Sequence, residues 1–270
     1  MKKIFGLMVS LLVLTAFVVT GCGTSAPTTA SKDGVPADIK AIKDRGVLKI
    51  GVKVDVPKFG FKDPKTDKVE GFEIDLAKVI AKKILGDENK IDVQAVTAKT
   101  RGPLLDNGEV DLVIATFTIT EERKKSYNFS DPYFTDGVAL MVKKNAGITS
   151  LKDLDGKKIG VAQSATSKKA LADEATKQGV KVSFLEFGTY PEIKTALDSG
   201  RIDCFSVDGA ILFGYLDDST VILADRYTPQ EYGVASKKSN ENLAKLVNET
   251  IADMKKSGEL DKMITKWGIK

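Results

Sequence analysis

Residues 110–134, VDLVIATFTITEERKKSYNFSDPYF, carry the pattern that decides the fold. The apolar run from Val110 to Ala115, interrupted only by Asp111, is typical of a strand buried on both faces of a parallel sheet. The residues that follow alternate between polar and apolar, which predicts a row of hydroxyl groups along one side of the chain. Those hydroxyl groups belong to Thr116, Thr118 and Thr120.

The second half of this stretch predicts a helix that begins at Glu121 and has Thr120 as its N-cap. Arg123 does not suit the first turn, because a cation near the positive end of the helix dipole costs roughly 0.3–1 kcal/mol. A bound anion would reverse the effect, so hydroxyls, backbone N–H groups and Arg123 together predict a cradle for a carboxylate. The alternative is a solvated helix start whose arginine faces Glu121 or a neighbour, and the segment alone does not decide between the two.

Strand and helix patterns alternate along two parts of the chain, Val47–Phe134 and Lys157–Ala224. Such βα units predict an α/β fold with two similar small lobes, and clefts between lobes are where small ligands bind. A short helix over Ala37–Arg45 precedes them. Asn240–Lys266 is predicted to be helical with a break at Gly258.

The first 21 residues form a secretory signal, with Lys2 and Lys3 ahead of an uncharged apolar run. The run ends Val-Thr-Gly-Cys at Cys22, which resembles the lipobox of bacterial lipoproteins. That resemblance implies that Cys22 carries a lipid anchor such as palmitate. Residues 22–36 are polar and lack a core-forming pattern, which predicts a flexible tether. The alternative is an ordinary signal peptide with a chance cysteine.

Composition excludes several classes of function. Without the signal, 39 basic residues face 37 acidic ones, and a net charge of +2 makes no case for nucleic acid binding. The chain has no histidine, which excludes histidine-based triads and histidine-ligated metal sites. The only cysteine besides Cys22 is Cys204, expected to be a small buried apolar residue. We therefore expect no metal, no cofactor and no disulfide framework.

Three stretches resemble the family 3 extracellular solute-binding proteins, the amino-acid-binding subunits of ABC importers. They are GFEIDL at 71–76, the motif from Asp111 to Tyr133, and LKDLDGK at 151–157 with IGV at 159–161. The resemblance covers residues 37–270 and implies a two-lobed, type II periplasmic-binding-protein-like fold. Two crossover strands, near Val138–Val142 and Tyr232–Ala235, would form its hinge. Lobe 1 would take residues 37–140 and 232–270, and lobe 2 would take residues 141–231.

Within the family, the chain most resembles the aspartate- and glutamate-binding subgroup. The stretches that carry this resemblance are AKTRGPLLDN at 98–107, GVK at 51–53 and FSVD at 205–208. By that resemblance Arg123 holds the α-carboxylate of the ligand, and Asp208 holds its α-ammonium. Asp208 could also be a plain N-cap of the following helix. The other roles implied are side-chain carboxylate recognition by Arg101 and Lys53, support of the α-carboxylate by Thr116 and Thr118, and closure of the second-lobe turn by Gln163 and Thr166.

The resemblance thus predicts a monomeric lipoprotein, anchored to the outer face of the cell membrane, that delivers aspartate or glutamate to the permease of an ABC importer. Because Arg101 and Lys53 add cations beyond Arg123, acidic ligands should be preferred over their amides. The alternatives are an adhesin or sensor lipoprotein of the same fold and a dehydratase-like enzyme. We expect no enzyme, because every candidate side chain already has a binding role.

Overall fold

The protein is described by a computed structural model that covers residues 34–269. Its strands, in chain order, are β1 (Leu48–Val52), β2 (Asp55–Val56), β3 (Gly60–Lys62), β4 (Val69–Glu70), β5 (Ile91–Ala95), β6 (Leu112–Ile114), β7 (Tyr127–Phe129), β8 (Phe134–Lys143), β9 (Lys158–Ala162), β10 (Ser183–Phe187), β11 (Cys204–Asp208), β12 (Thr220–Ile222), β13 (Tyr227–Tyr232) and β14 (Ala235–Lys237). Its helices are α1 (Ala37–Arg45), α2 (Phe72–Leu85), α3 (Arg101–Asp106), α4 (Glu121–Ser126), α5 (Ser167–Gln178), α6 (Tyr190–Asp198), α7 (Gly209–Phe213), α8 (Glu241–Ser257) and α9 (Glu259–Lys266). A 3₁₀ turn spans Leu151–Leu154.

Two mixed sheets form the centres of the two lobes, as the resemblance implies. The first has the strand order β5-β1-β6-β14-β7, and the second has the order β10-β9-β11-β8-β12 with β13 also on β8. In both, parallel pairs lie on one side and antiparallel pairs on the other. A small third sheet, β2-β3-β4, stands beside the first lobe.

Helix α2 illustrates how the sequence builds the first lobe. Its apolar residues recur at helical spacing, so that Leu76, Ile80 and Ile84 are buried on one face. Fully burying a large aliphatic side chain stabilises the fold by about 1.5–3 kcal/mol. Gly86 ends the helix in the left-handed conformation, at a φ of 78°.

The chain crosses between the lobes twice, along two segments bonded to each other. The Ser130 N–H donates to the Val234 carbonyl at 2.9 Å, and the Tyr133 N–H donates to the Tyr232 carbonyl at 2.8 Å. The second of these crossings lies in the predicted region. The predicted first crossover, near Val138–Val142, instead lies within the second sheet, paired with β11.

The predicted lobe boundary between residues 140 and 141 stays a prediction, and the strand pairing favours an earlier one. Strand β8 pairs with β13 from Phe134 onward, while the preceding strand β7 belongs to the first sheet. We therefore propose that the chain passes from lobe 1 to lobe 2 between residues 130 and 134. The reason is that all ten residues of β8 belong to the second sheet, so the crossing must come before that strand begins.

Two local predictions differ from the structure. Residues 116–120 were expected to continue as a strand, but Thr116 has a φ of 45°, which ends β6 at Ile114 and turns the chain. Strand β13 was not predicted, because Pro229 argues against a strand, and the structure has a register shift at that proline. Within residues 34–269 no helix is long and apolar enough to cross a membrane.

Candidate functional site

The turn after β6 places two arginines against one aromatic ring. The guanidinium carbon of Arg101 lies 4.1 Å from the centre of the Phe117 ring, and that of Arg123 lies 4.7 Å from it. A cation over an aromatic face within about 6 Å is attracted by the ring quadrupole. Phe117 therefore brings two positive groups to one place in the cleft.

Arg123 stands where the sequence predicted a carboxylate cradle. Thr120 caps α4, since its hydroxyl accepts the Arg123 N–H at 3.1 Å. The guanidinium donates to the Thr118 carbonyl at 2.7 Å, and Glu121 pairs with Lys124 instead. Burial lowers the pKa of Arg123 to about 9, so the group remains charged at neutral pH. The reading in which this arginine faces Glu121 is therefore wrong.

Arg101 begins α3 and is 3% exposed. One of its terminal nitrogens donates to the carbonyls of Ala115 and Thr116, at 2.6 and 3.0 Å. Its Nε is buried without a hydrogen-bond partner among residues 34–269. Burial lowers the pKa of Arg101, because the charged form loses water. The side chain is thus fixed by backbone oxygens and retains a donor for another group.

Lys53 follows β1 at the carboxyl end of that strand, as predicted, and is 1% exposed. Its ammonium forms an ion pair with Asp55 at 2.9 Å and lies 4.6 Å from the centre of the Tyr190 ring. Burial lowers the pKa of Lys53, and Asp55 counteracts part of that loss. Lys53 therefore already has a carboxylate partner, which Arg101 lacks.

Asp208 lies on the lobe 2 side of the cleft, at the end of β11. It occupies the N-cap position of α7, but its side chain makes no capping hydrogen bond. Asp136 does that work, since its carboxylate accepts the Ala210 N–H at 2.6 Å. One Asp208 oxygen accepts the hydroxyl of Tyr232, and burial raises the pKa of the carboxyl to about 7. The plain N-cap interpretation of Asp208 therefore fails.

Glu73, on the first turn of α2, is a completely buried acid that the sequence analysis missed. Its Oε1 accepts the Thr116 N–H at 2.6 Å and the Tyr133 hydroxyl at 2.5 Å. Burial raises the pKa of Glu73 to about 7, and the charges of Arg101 and Lys53 counteract the shift. An acid in a first helical turn usually complements the dipole at the surface, so nothing in the sequence marked this one.

The lobe 2 turn that contains Ser164 and Thr166 contacts the lobe 1 side of the cleft. The Arg123 guanidinium donates to the Ser164 carbonyl at 3.0 Å. The hydroxyls of Thr118 and Thr166 both donate to the side-chain oxygen of Gln230, at 2.9 and 2.6 Å. A groove of about 730 Å³ runs along this seam.

Further contacts hold the lobes together on the Lys53 side. The Tyr190 N–H donates to Asp55 at 3.4 Å, and the Tyr215 hydroxyl donates to the Asp55 carbonyl. Gly214 faces the ring of Pro57 so closely that an added Cβ would lie 2.9 Å from it. The structure is therefore that of a closed cleft.

A groove of similar volume, about 740 Å³, lies on the other side of lobe 1 between α2 and the two C-terminal helices. Lysines and acidic residues line it, and in pairs such as Lys266 with Asp75, at 2.7 Å, the lysine is exposed and the acid partly exposed. It holds none of the buried charges described above. The chemistry of the cleft therefore has no counterpart there.

The profile of the bacterial extracellular solute-binding proteins, family 3, matches residues 48–270. The chain belongs to this family. A glutamine-binding protein of an ABC transporter from Bacillus subtilis is 42% identical over 99% of this chain and 97% of its own length. A glutamate/aspartate import solute-binding protein from Salmonella typhimurium is 31% identical over 91% of this chain and 85% of its own.

A solved structure extends the family likeness to the fold. It is that of an ancestral amino acid-binding protein, described as a precursor of cyclohexadienyl dehydratase. The TM-score is 0.76 at 33% identity, over 86% of this chain and 99% of the other. The predicted family and two-lobed fold are thereby confirmed.

The structure brings most of the predicted site residues of this solute-binding protein to one cleft. Thr116 faces it least, because its hydroxyl donates to the Ala115 carbonyl at 2.9 Å. Gln163 uses its backbone N–H for the Phe187 carbonyl at 2.9 Å, so that group is not free for a ligand. The ligand-binding roles themselves stay predictions. The polar residues that the sequence analysis missed are Glu73, Tyr133, Tyr190, Gln230 and Tyr232.

Proposed function

We propose that the protein is the amino-acid receptor of an ABC importer and that its ligand is glutamate or aspartate. The observation that carries the acidic ligand is the pair of arginines on Phe117. Neither Arg101 nor Arg123 has a carboxylate within 4 Å among residues 34–269, although Arg101 is buried and Arg123 is partly buried. A buried cation without a counter-charge is costly, and a ligand with two carboxylates would compensate both.

The ligand would be held by three charged groups, with Lys53 beside them. Arg123 would bind the α-carboxylate, and Asp208, freed from capping, would bind the α-ammonium. Arg101 would bind the side-chain carboxylate through the donors that the Ala115 and Thr116 carbonyls leave free. Lys53 would act as half of a neutral pair with Asp55 rather than as a second free cation.

Glutamine is the second candidate, and a specific observation favours it besides the Bacillus subtilis relative. The completely buried Glu73 counteracts the charge of Arg101. With Lys53 offset by Asp55, an ionised Glu73 would leave the side-chain end of the site close to neutral. A ligand amide would then suffice as the acceptor for Arg101.

Calorimetric titration of the purified protein with glutamate, aspartate, glutamine and asparagine tests the proposal. We expect the acids to bind at least about a hundredfold more tightly than the amides, since leaving one buried charge unpaired costs about 3–5 kcal/mol. Equal or tighter binding of glutamine at pH 7 would replace the acidic proposal with the second candidate. If no amino acid binds, the receptor proposal is wrong.

We further propose that Cys22 carries the lipid that holds the receptor at the outer face of the membrane. Cys22 and the signal lie outside the described residues, so the support is the resemblance of residues 19–22 to a lipobox. Cys22→Ala should release the protein from the membrane fraction or block its processing. A variant that is cleaved normally and stays membrane-bound would contradict the assignment.

The proposal is one of binding without catalysis. The two relatives described above are named as binding proteins, and the ancestral structure is described as a binding protein that preceded an enzyme. Among residues 34–269 no group of acids and cysteines is placed to hold a metal ion. The monomeric state stays a prediction.

A further inference from the structure

Glu73 sits directly behind the wall that carries Arg101. Its Oε1 accepts the N–H of Thr116, while Arg101 donates to the carbonyl of that same residue. The acid and the arginine are therefore joined through one residue of the turn after β6, and no ion pair within 4 Å joins them directly in the described part of the chain. The charge of Glu73 acts on Arg101 without occupying its donors.

Each member of this pair has an atom without a partner. Glu73 Oε2 and Arg101 Nε are both buried and make no hydrogen bond among residues 34–269. The charged and titratable groups that interact with Glu73 are Tyr133, Tyr190, Arg101 and Lys53. Tyr133 is held protonated, because burial and Glu73 both raise its pKa. The charge state of Glu73 is thus the variable one in this group.

We propose that Glu73 is a positioning residue that sets, through Arg101, the selectivity of the cleft between acidic and amide side chains. When Glu73 is ionised it partly offsets the charge of Arg101, and the preference of the site for a carboxylate over an amide is smaller. When Glu73 is protonated Arg101 lacks a counter-charge, and the site is suited to a carboxylate. The inference rests on the proposed function.

The change in the charge of Glu73 predicts how the selectivity between glutamate and glutamine varies with pH. Burial raises the pKa of Glu73 to about 7, and a carboxylate bound at Arg101 raises it further. Binding of glutamate therefore takes up protons near neutral pH, and glutamate gains on glutamine as the pH falls through about 7. Asp208 titrates in the same range, but both ligands carry the α-ammonium, so its effect cancels in the ratio of their affinities.

The experiment compares the glutamate-to-glutamine affinity ratio between pH 6 and 8.5 in three forms of the protein. The wild-type ratio should rise about tenfold toward pH 6, as a further pKa shift of about one unit implies. Glu73→Gln keeps an oxygen for the Thr116 N–H and the Tyr133 hydroxyl. Its ratio should stay at the wild-type low-pH value throughout. Asp75→Asn is the matched control, since Asp75 lies on the same helix but pairs with Lys266 outside the cleft, and should titrate as the wild type.

Proton uptake provides a second readout that needs no variant. Calorimetry of the wild type in two buffers of different ionisation enthalpy should show more protons taken up with glutamate than with glutamine at pH 7. Equal uptake, or a Glu73→Gln ratio that retains the wild-type slope, would overturn the role of Glu73 while leaving the receptor intact. Failure of both ligands to bind the wild type would refute the proposed function and this inference with it.

Discussion

Replacing Arg101 by alanine is the sharpest test of the proposed ligand. The side chain is 3% exposed, lies over Phe117 and is the cation without a carboxylate that faces the side-chain end of the ligand. In the closed complex with glutamate it would form a buried ion pair. Alanine removes one partner and leaves the ligand carboxylate in a dry site.

The expected magnitude follows from that burial. Removing one partner of a buried pair costs about 3–5 kcal/mol, and roughly 1.4 kcal/mol is tenfold in affinity. Glutamate affinity should therefore fall by at least about a hundredfold. Glutamine would lose only a hydrogen bond to a charged group, worth roughly 1.5–3 kcal/mol or about 10- to 150-fold in affinity, together with the support that Arg101 gives the Ala115 and Thr116 carbonyls. The variant should therefore lose most of the discrimination.

Titration of wild type and variant with both ligands at pH 7 measures this, with thermal unfolding recorded in parallel. Arg201→Ala is the control, because Arg201 also lies over an aromatic ring, Phe187, but is exposed in lobe 2. Arg123→Ala should weaken both ligands equally, since both carry the α-carboxylate. If Arg101→Ala retains full discrimination, the role given to Arg101 is wrong.

Two further predictions concern the lobe 2 side of the cleft. Asp208→Asn should weaken the binding of glutamate and of glutamine alike. In the wild type the affinity for both ligands should fall as the pH drops below about 7, because binding the ammonium requires the ionised carboxylate. A glutamine affinity that does not change with pH would contradict this. Gly214→Leu should hold the lobes apart against Pro57, so small-angle scattering at saturating ligand should show a more open particle with unchanged melting temperature. The exposed neighbour Phe213→Ala should close normally, and a Gly214→Leu profile identical to the wild-type one would disprove the contact.

The sequence predicted local features correctly where a residue type has one characteristic structural role. Thr120 was identified as an N-cap because a hydroxyl before two glutamates suits a helix start, and the structure has that hydrogen bond. Gly258 was identified as a break, and it separates α8 from α9 in the left-handed conformation. Arg123 was singled out because a cation conflicts with the helix dipole. Each of these predictions depends on a few neighbouring residues only.

The rest of the site depends on pairs that are distant in the chain. Glu73 meets Thr116 and Tyr133 across 43 and 60 positions, and Gln230 meets Thr118 across 112. None of these residues conflicts with its local pattern, so no short-range rule distinguishes them. The motif GFEIDL pointed to the right helix, but its glutamate read as an ordinary first-turn acid. Its role becomes visible only when the sheet brings the turn after β6 against α2.

The acceptor that Thr118 and Thr166 share on Gln230 is one of the contacts across the cleft that affect how often an empty receptor is closed. When the lobes separate, Gln230 loses one hydroxyl donor and can keep the other, so opening gives up a single net hydrogen bond there, about 0.5–1.5 kcal/mol. That shifts the population of closed, unliganded molecules by a factor of only about 2 to 13. A stronger contact would increase the fraction of closed, unliganded receptors, which would bind the permease without delivering a ligand. Because the contact at Gln230 is weak, closure depends more on the contacts made by a bound ligand, and a closed receptor is then more often a liganded one.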